Sequence, residues 1–138
     1  VPTAVIDHQA FASREAFDMA LAEEVDRHAP VLVLLAGFMR VLTPGFVRRY
    51  TGRLLNIHPS LLPAFSGLHT HQRALDAGCR FAGATVHQVT EVLDDGAILD
   101  QVAVPVLAGD TADSLSARVL TQEHVMYPRV VARLLSEL

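Results

Sequence analysis

An asparagine and a histidine stand two positions apart in "LLNIHPSLLP", residues Leu54 to Pro63, inside an apolar run where a buried strand would ordinarily take Val or Leu. In an extended chain alternate side chains share a face, so Asn56 and His58 point one way and Leu55 and Ile57 the other. An Asn amide can donate a hydrogen bond to a developing oxyanion, and a His can act as acid or donor. A carboxylate that holds and charges the imidazole would complete the set, and the later stretch "EVLDDG" offers Asp94 and Asp95. The same residues also have a plain structural explanation. Asn56 can satisfy backbone at a strand end, His58 can be a half-buried strand residue, and Asp94 is a natural turn former. Spacing alone leaves both explanations open.

Seven histidines raise the question of a metal, with "HTH" at His69 to His71 the densest stretch. Two positions apart on a helix do not face each other, and no Cys or Glu-x-x-His partner stands beside them, so no metal is expected. The chain contains no Gly-x-Gly-x-x-Gly run and no phosphate-cradling lysine loop, which leaves a resident nucleotide cofactor unsupported.

The elements that must position these residues follow from periodicity and punctuation. Ser13 is an N-cap candidate, and Phe17, Ala20, Leu21 and Val25 recur at helical spacing before Pro30. "PVLVLLAG" is continuously apolar, the pattern of a strand buried on both faces in a helix-covered parallel sheet. Thr43 can cap a helix with Pro44 in its first turn, and the strand Leu54 to His58 comes next. Two strands flanking a helix make a βαβ unit, whose site belongs beyond the carboxyl ends of the strands, where His58 falls. Leu68 to Ala77 reads as a further helix ended by Gly78. "GATVHQV" alternates, with Thr85 and His87 on one face, and "AILDQVAVPV" is another strand. From Thr111 the spacing of Leu115, Val119 and Val125 or Met126 is helical, Asp113 suits its first turn, and Pro128 should kink or end it. The fold class is therefore α/β, a mostly parallel sheet flanked by helices.

At 138 residues and 51% hydrophobic, the chain can bury one sizeable core and is expected to be a single domain. A net charge of −4 argues against a nucleic-acid binder, and Arg48, Arg49 and Arg53 fit a solvated helix face. One cysteine excludes an internal disulfide and fits a reducing compartment. The apolar run Val31 to Met39, broken by Gly37, is too short to span a bilayer. A cytoplasmic protein without membrane partners is expected.

Four stretches, "AGFMRVLTPGFV", "LLNIHPSLLPAFSGLHTHQRAL", "GATVHQVTEVLDDGAIL" and "RVLTQEHVMYP", together resemble the folate-dependent formyltransferase family, and "GLHTH" its glycinamide ribonucleotide branch in purine synthesis. The likeness runs from about Phe11 to Pro128. It implies a Rossmann-like formyltransferase fold and transfer of a formyl group from 10-formyltetrahydrofolate, a co-substrate, to the amine of glycinamide ribonucleotide, without a metal. It also implies Asn56, His58 and Asp94 as the catalytic set, with Asp94 rather than Asp95 as the acid. The folate contacts it implies are Arg14, Met39, Arg40, Val41 and Leu42, Asn56, and Thr90, Glu91, Val92, Leu93 and Asp94. Val47, Leu54 and Val89 would extend that slot, though each is equally a core residue. Leu120, Thr121, Gln122 and Glu123 are the implied ribonucleotide contacts, with Glu123 near the amine.

The departures carry expectations too. Leu120 stands where the family commonly has a polar group, and Ser66 and Ala97 replace prolines. The family opens with a strand and a glycine- and serine-rich phosphate-binding turn, to which nothing between Val1 and Leu138 corresponds. The chain thus resembles the central and later part of such an enzyme, truncated at its N-terminus. On that expectation this chain alone is a poor transferase that self-associates, and a formyltetrahydrofolate hydrolase or a non-catalytic fragment is the alternative.

Overall fold

The computed structural model describes residues 1–38 and 40–138, so Met39, in the expected folate segment, lies outside the described residues. Helix α1, Arg14–Asp26, starts where Ser13 accepts a hydrogen bond from the Ala16 amide, and α2, Pro44–Arg49, starts where Thr43 accepts one from Phe46. Strand β1, Val33–Leu35, and β2, Leu54–His58, flank α2 and pair in parallel. Helix α3, Thr70–Asp76, follows, then β3, Phe81–Gln88, β4, Ile98–Pro105, and the long α4, Ala112–Ser136.

The sheet order is β1-β2-β3-β4. β1 and β2 are parallel, and β3 is antiparallel to both β2 and β4. Three of the four strands thus share a direction, as the α/β expectation has it, with the antiparallel β3 between β2 and β4. The β3–β4 connection is a local hairpin and needs no crossover helix.

Alternation divides the side chains between two layers. Ile57 on β2 and Ala82, Ala84 and Val86 on β3 pack with Leu115, Val119, Met126 and Val130 of α4. Leu54, on the opposite face of β2, packs with Ala22, Phe46, Val47 and Tyr50 from α1 and α2. Asn56 and His58 share the face of Leu54, and their register partners on β3 are His87 and Thr85. Gly83 lies so close to β4 that a Cβ there would meet the Val102 carbonyl oxygen at 1.9 Å.

Three expectations need correction. The apolar run before Gly37 forms only a three-residue strand at the sheet edge, and Leu34 is 44% exposed rather than buried on both faces. Its one partner is β2, and α1 and α2 pack on a single side. Pro128 does not end α4, which continues to Ser136. Burial of Met126 and Val130 on either side, and hydrogen bonds from the Tyr127 hydroxyl to the carbonyls of Leu35 (2.9 Å) and Leu55 (3.3 Å), offset the missing N–H. The burial of Tyr127 raises its phenol well above the ordinary range. Helix α3 also starts later than expected, because His69 takes the left-handed conformation at φ 55°. No helix among the described residues is long and apolar enough to cross a membrane.

Candidate active site

The carboxyl end of β2 delivers His58, and the turn after β3 delivers Asp94. His58 Nδ1 lies 3.6 Å from Asp94 Oδ1, and the two side chains are 8% and 6% exposed. His58 Nε2 donates to the Phe65 carbonyl at 2.9 Å, which fixes the ring plane. Asp94 itself sits at φ 53°, a conformation Asp tolerates better than most residues. Its Oδ2 accepts from the Gly67 amide at 2.9 Å, so the loop following β2 holds both members of the pair. Asp95, the alternative acid, is exposed.

The turn is shaped by backbone crowding. A Cβ on Gly96 would meet the Gln88 carbonyl oxygen at 1.6 Å, so the strand end and the turn can close only around a glycine. Asn56, half-buried, lies opposite His87 across the β2–β3 ladder. His71, near His58, has a buried Nδ1 without a hydrogen-bond partner among the described residues, and burial and then the neighbouring His58 lower its pKa. Glu123, on α4, is also close enough to His58 to feel its charge. Burial raises the Glu123 carboxyl, and His124 and His58 pull it the other way.

The expected ligand contacts fall on the surrounding segments. Arg40 lays its guanidinium over the Phe17 ring at 3.9 Å, with Nη1 buried and without a hydrogen-bond partner among the described residues, and the Thr43 amide donates to buried Asp18 at 2.7 Å. These contacts dock the 40–43 segment on α1, whose first residue is the exposed Arg14. Val41 is exposed and Leu42 half-buried against the α1–α2 core. Glu91 pairs with Arg48 at 3.0 Å, and Thr90 bonds within its own turn, which leaves Val92 and Leu93 exposed. On α4, Leu120 and Thr121 are exposed and Gln122 is half-buried. Val47 and Leu54 are buried core, and Val89 packs against them.

Arg49 and Arg53, like Arg48, are engaged with the protein. Arg49 pairs with Asp26, and Arg53 donates to the Pro30 carbonyl at 2.8 Å. Among the described residues no three His, Cys, Asp or Glu side chains converge as a metal site would require. His87, which sequence analysis placed beside Thr85 without a role, stands next to the pair: its Nε2 is 3.9 Å from the same Asp94 Oδ1. Period-two alternation in "GATVHQV" was the signal for it, but nothing in the sequence brings residue 94 back onto that face.

The fold is that of an α/β protein, with an amide, an imidazole and a carboxylate gathered at the carboxyl end of β2, where open α/β sheets place their sites. Residues 1–131 match the family described as formyl transferase, and the chain belongs to that family. It is 54% identical over 132 residues to the phosphoribosylglycinamide formyltransferase of Escherichia coli, a match covering 96% of this chain and 62% of that one. The chain thus spans less than two thirds of that relative's length. It is 49% identical to part of the trifunctional purine biosynthetic protein adenosine-3 of Drosophila melanogaster, across 99% of this chain and 10% of that one. Among solved structures, the phosphoribosylglycinamide formyltransferase of Brucella melitensis superposes with a TM-score of 0.88 at 55% identity, over 94% of this chain and 67% of that one. That of Bacillus halodurans gives a TM-score of 0.93 at 38% identity, over 99% and 70%.

Proposed function

We propose that the protein carrying this chain transfers a formyl group from 10-formyltetrahydrofolate to the amine of glycinamide ribonucleotide in purine synthesis. The observation that carries the proposal is the buried His58–Asp94 pair beside Asn56, in a chain 54% identical to an enzyme of that name. The acceptor nitrogen attacks the formyl carbon, and negative charge develops on the formyl oxygen. Asn56 and protonated His58 donate to that oxygen, and Asp94, 3.6 Å from the far nitrogen, orients the His58 ring. Asp94 takes the proton of the attacking nitrogen through water. The bond from the formyl carbon to N10 then breaks, and N10 receives a proton.

The folate lies along Arg14, Met39 to Leu42 and Thr90 to Asp94, and the exposed Val41, Val92 and Leu93 supply apolar lining. The ribonucleotide lies along Leu120 to Glu123, with Glu123 beside the amine. On this reading the 138 residues form one partial formyltransferase domain that works in the cytoplasm on small molecules and without a metal. The test is to incubate the purified protein with 10-formyltetrahydrofolate, with and without glycinamide ribonucleotide. Formylated ribonucleotide is the expected product. Formate released equally well without the amine would identify a hydrolase and overturn the proposal, as would no reaction from the protein in its natural full length.

A further inference from the structure

His87 is 2% exposed, and each of its ring nitrogens faces an oxygen that can only accept. Nδ1 is 3.1 Å from the Gln88 carbonyl, so it carries a hydrogen and donates. Nε2 has no hydrogen-bond partner among the described residues, and Asp94 Oδ1 lies 3.9 Å away, within ion-pair range. His58 mirrors this arrangement, with Nε2 on the Phe65 carbonyl and Nδ1 3.6 Å from the same carboxylate oxygen. One oxygen thus faces two imidazoles, each anchored at its far side by a backbone carbonyl. The β3–β4 ladder slips between Val86 and His87, a local irregularity that re-aims a side chain.

We propose that His87 is a positioning residue: protonated at Nε2, it holds the Asp94 carboxylate in place for His58. This rests on the assignment of His58 and Asp94 to catalysis. A neutral ring with Nδ1–H would turn its buried Nε2 lone pair toward a carboxylate oxygen, one acceptor facing another. A proton on Nε2 removes that conflict. It also gives the strained turn residue Asp94 a second electrostatic tether beside the Gly67 amide, on the side of the turn facing the sheet. The charged and titratable groups around the cluster are Asp94 from the turn, His58 from β2, His71 beside His58 from α3, and Glu123 from α4. When His58 shares its proton with a developing oxyanion, His87 keeps Asp94 from turning away.

The test uses long-range nitrogen–proton NMR spectra of the histidine rings at neutral pH, in the native chain and in Asp94→Asn. Protonated Nε2 on His87 in the native chain, lost in Asp94→Asn, is the expected result. If the rings of His58 and His87 both ignore Asp94→Asn, the catalytic pairing itself fails. If His58 responds and His87 does not, only the role of His87 is overturned. The kinetic arm compares His87→Leu with His87→Gln, which keeps an N–H donor. His87→Leu should lower kcat on the order of tenfold or more with KM changed much less, and His87→Gln should recover part of the loss. Equal loss in both variants, or a fall confined to KM, overturns the inference.

Discussion

Replacing Asp94 by Asn keeps the shape of the turn and removes its charge. The amide oxygen can still accept from the Gly67 N–H, now 2.9 Å from the carboxylate, so the loop after β2 keeps its tie. What disappears is the attraction between a carboxylate and an imidazole 3.6 Å apart, with side chains only 8% and 6% exposed. At an effective dielectric constant near 20 that separation corresponds to about 5 kcal/mol, an upper limit because the site also reorganises. A share of about 3 kcal/mol expressed in the transition state lowers turnover on the order of 10²-fold. Asp95 is exposed, so Asp95→Asn should change the rate by no more than about twofold. The assay is formyl transfer to glycinamide ribonucleotide at saturating substrates, with urea unfolding of each variant to confirm an intact fold. An Asp94→Asn enzyme within about threefold of native, or an Asp95→Asn enzyme slower than Asp94→Asn, would refute the pairing.

Asn56→Ala should lower turnover by roughly 10²-fold while folate binding changes far less, checked by kcat alongside a folate titration. Gly96→Ala should destabilise the fold and displace Asp94, because the new Cβ meets the Gln88 carbonyl oxygen at 1.6 Å; the check is thermal unfolding together with the NMR signals of His58. The chain has two tyrosines and no tryptophan, so tyrosinate absorbance reports both cleanly. Burial, and then a hydrogen bond to Asp26, push Tyr50 up to about 12, and burial raises Tyr127 as well. Raised values add stability that is full below the ordinary value near 10 and lost as pH climbs past it. Tyrosinate should therefore appear with unfolding rather than before it. Asp110 runs the other way: Arg118, and then the Leu107 amide, hold its carboxyl well below the usual range. Its stabilisation is present above the ordinary carboxylate range and lost as pH falls through the folded value. The gap in melting temperature between native and Asp110→Asn should close on acidification from about pH 5 downward.

Local chemistry made much of the fold legible. Ser13 and Thr43 cap the helices that they were expected to cap, because an N-cap needs only a short side chain and the next turn of amides, and Thr111, where helical spacing was read to begin, caps the third. Leu54–His58 is a strand at the bounds its alternation gave. Where sequence reasoning fell short, the deciding contacts were distant in the chain. The exposure of Leu34 depends on β1 lying at the sheet edge. Continuation of α4 past Pro128 depends on a tyrosine hydroxyl reaching carbonyls on β1 and β2. For the site, one strand's period brought Asn56 and His58 to one face, whereas the choice of Asp94 over Asp95 came from family resemblance alone. His87 was visible on a face but not as a neighbour of Asp94, because a left-handed residue in a turn directs its side chain in a way no periodicity encodes.

That left-handed turn explains how three chain segments meet at one carboxylate. An acid placed on β2 or β3 would face only its own side of the sheet, with the ladder fixing its direction. From the turn after β3, Asp94 reaches back over the end of the sheet, where His58 and His87 lie on one side and the Gly67 amide on another. A non-glycine residue in such a conformation costs on the order of 1 kcal/mol or more, and persists where surrounding contacts over-determine it. Here those contacts are charge-bearing and buried, whereas Val41, Val92, Leu93 and Leu120 on the segments around them stay open to solvent. The arrangement separates two tasks. The buried charged groups hold one another through protein contacts alone, and the exposed apolar side chains lie on the neighbouring segments; on the proposed function a ligand covers those side chains, so binding draws on their burial without having to assemble the charged centre.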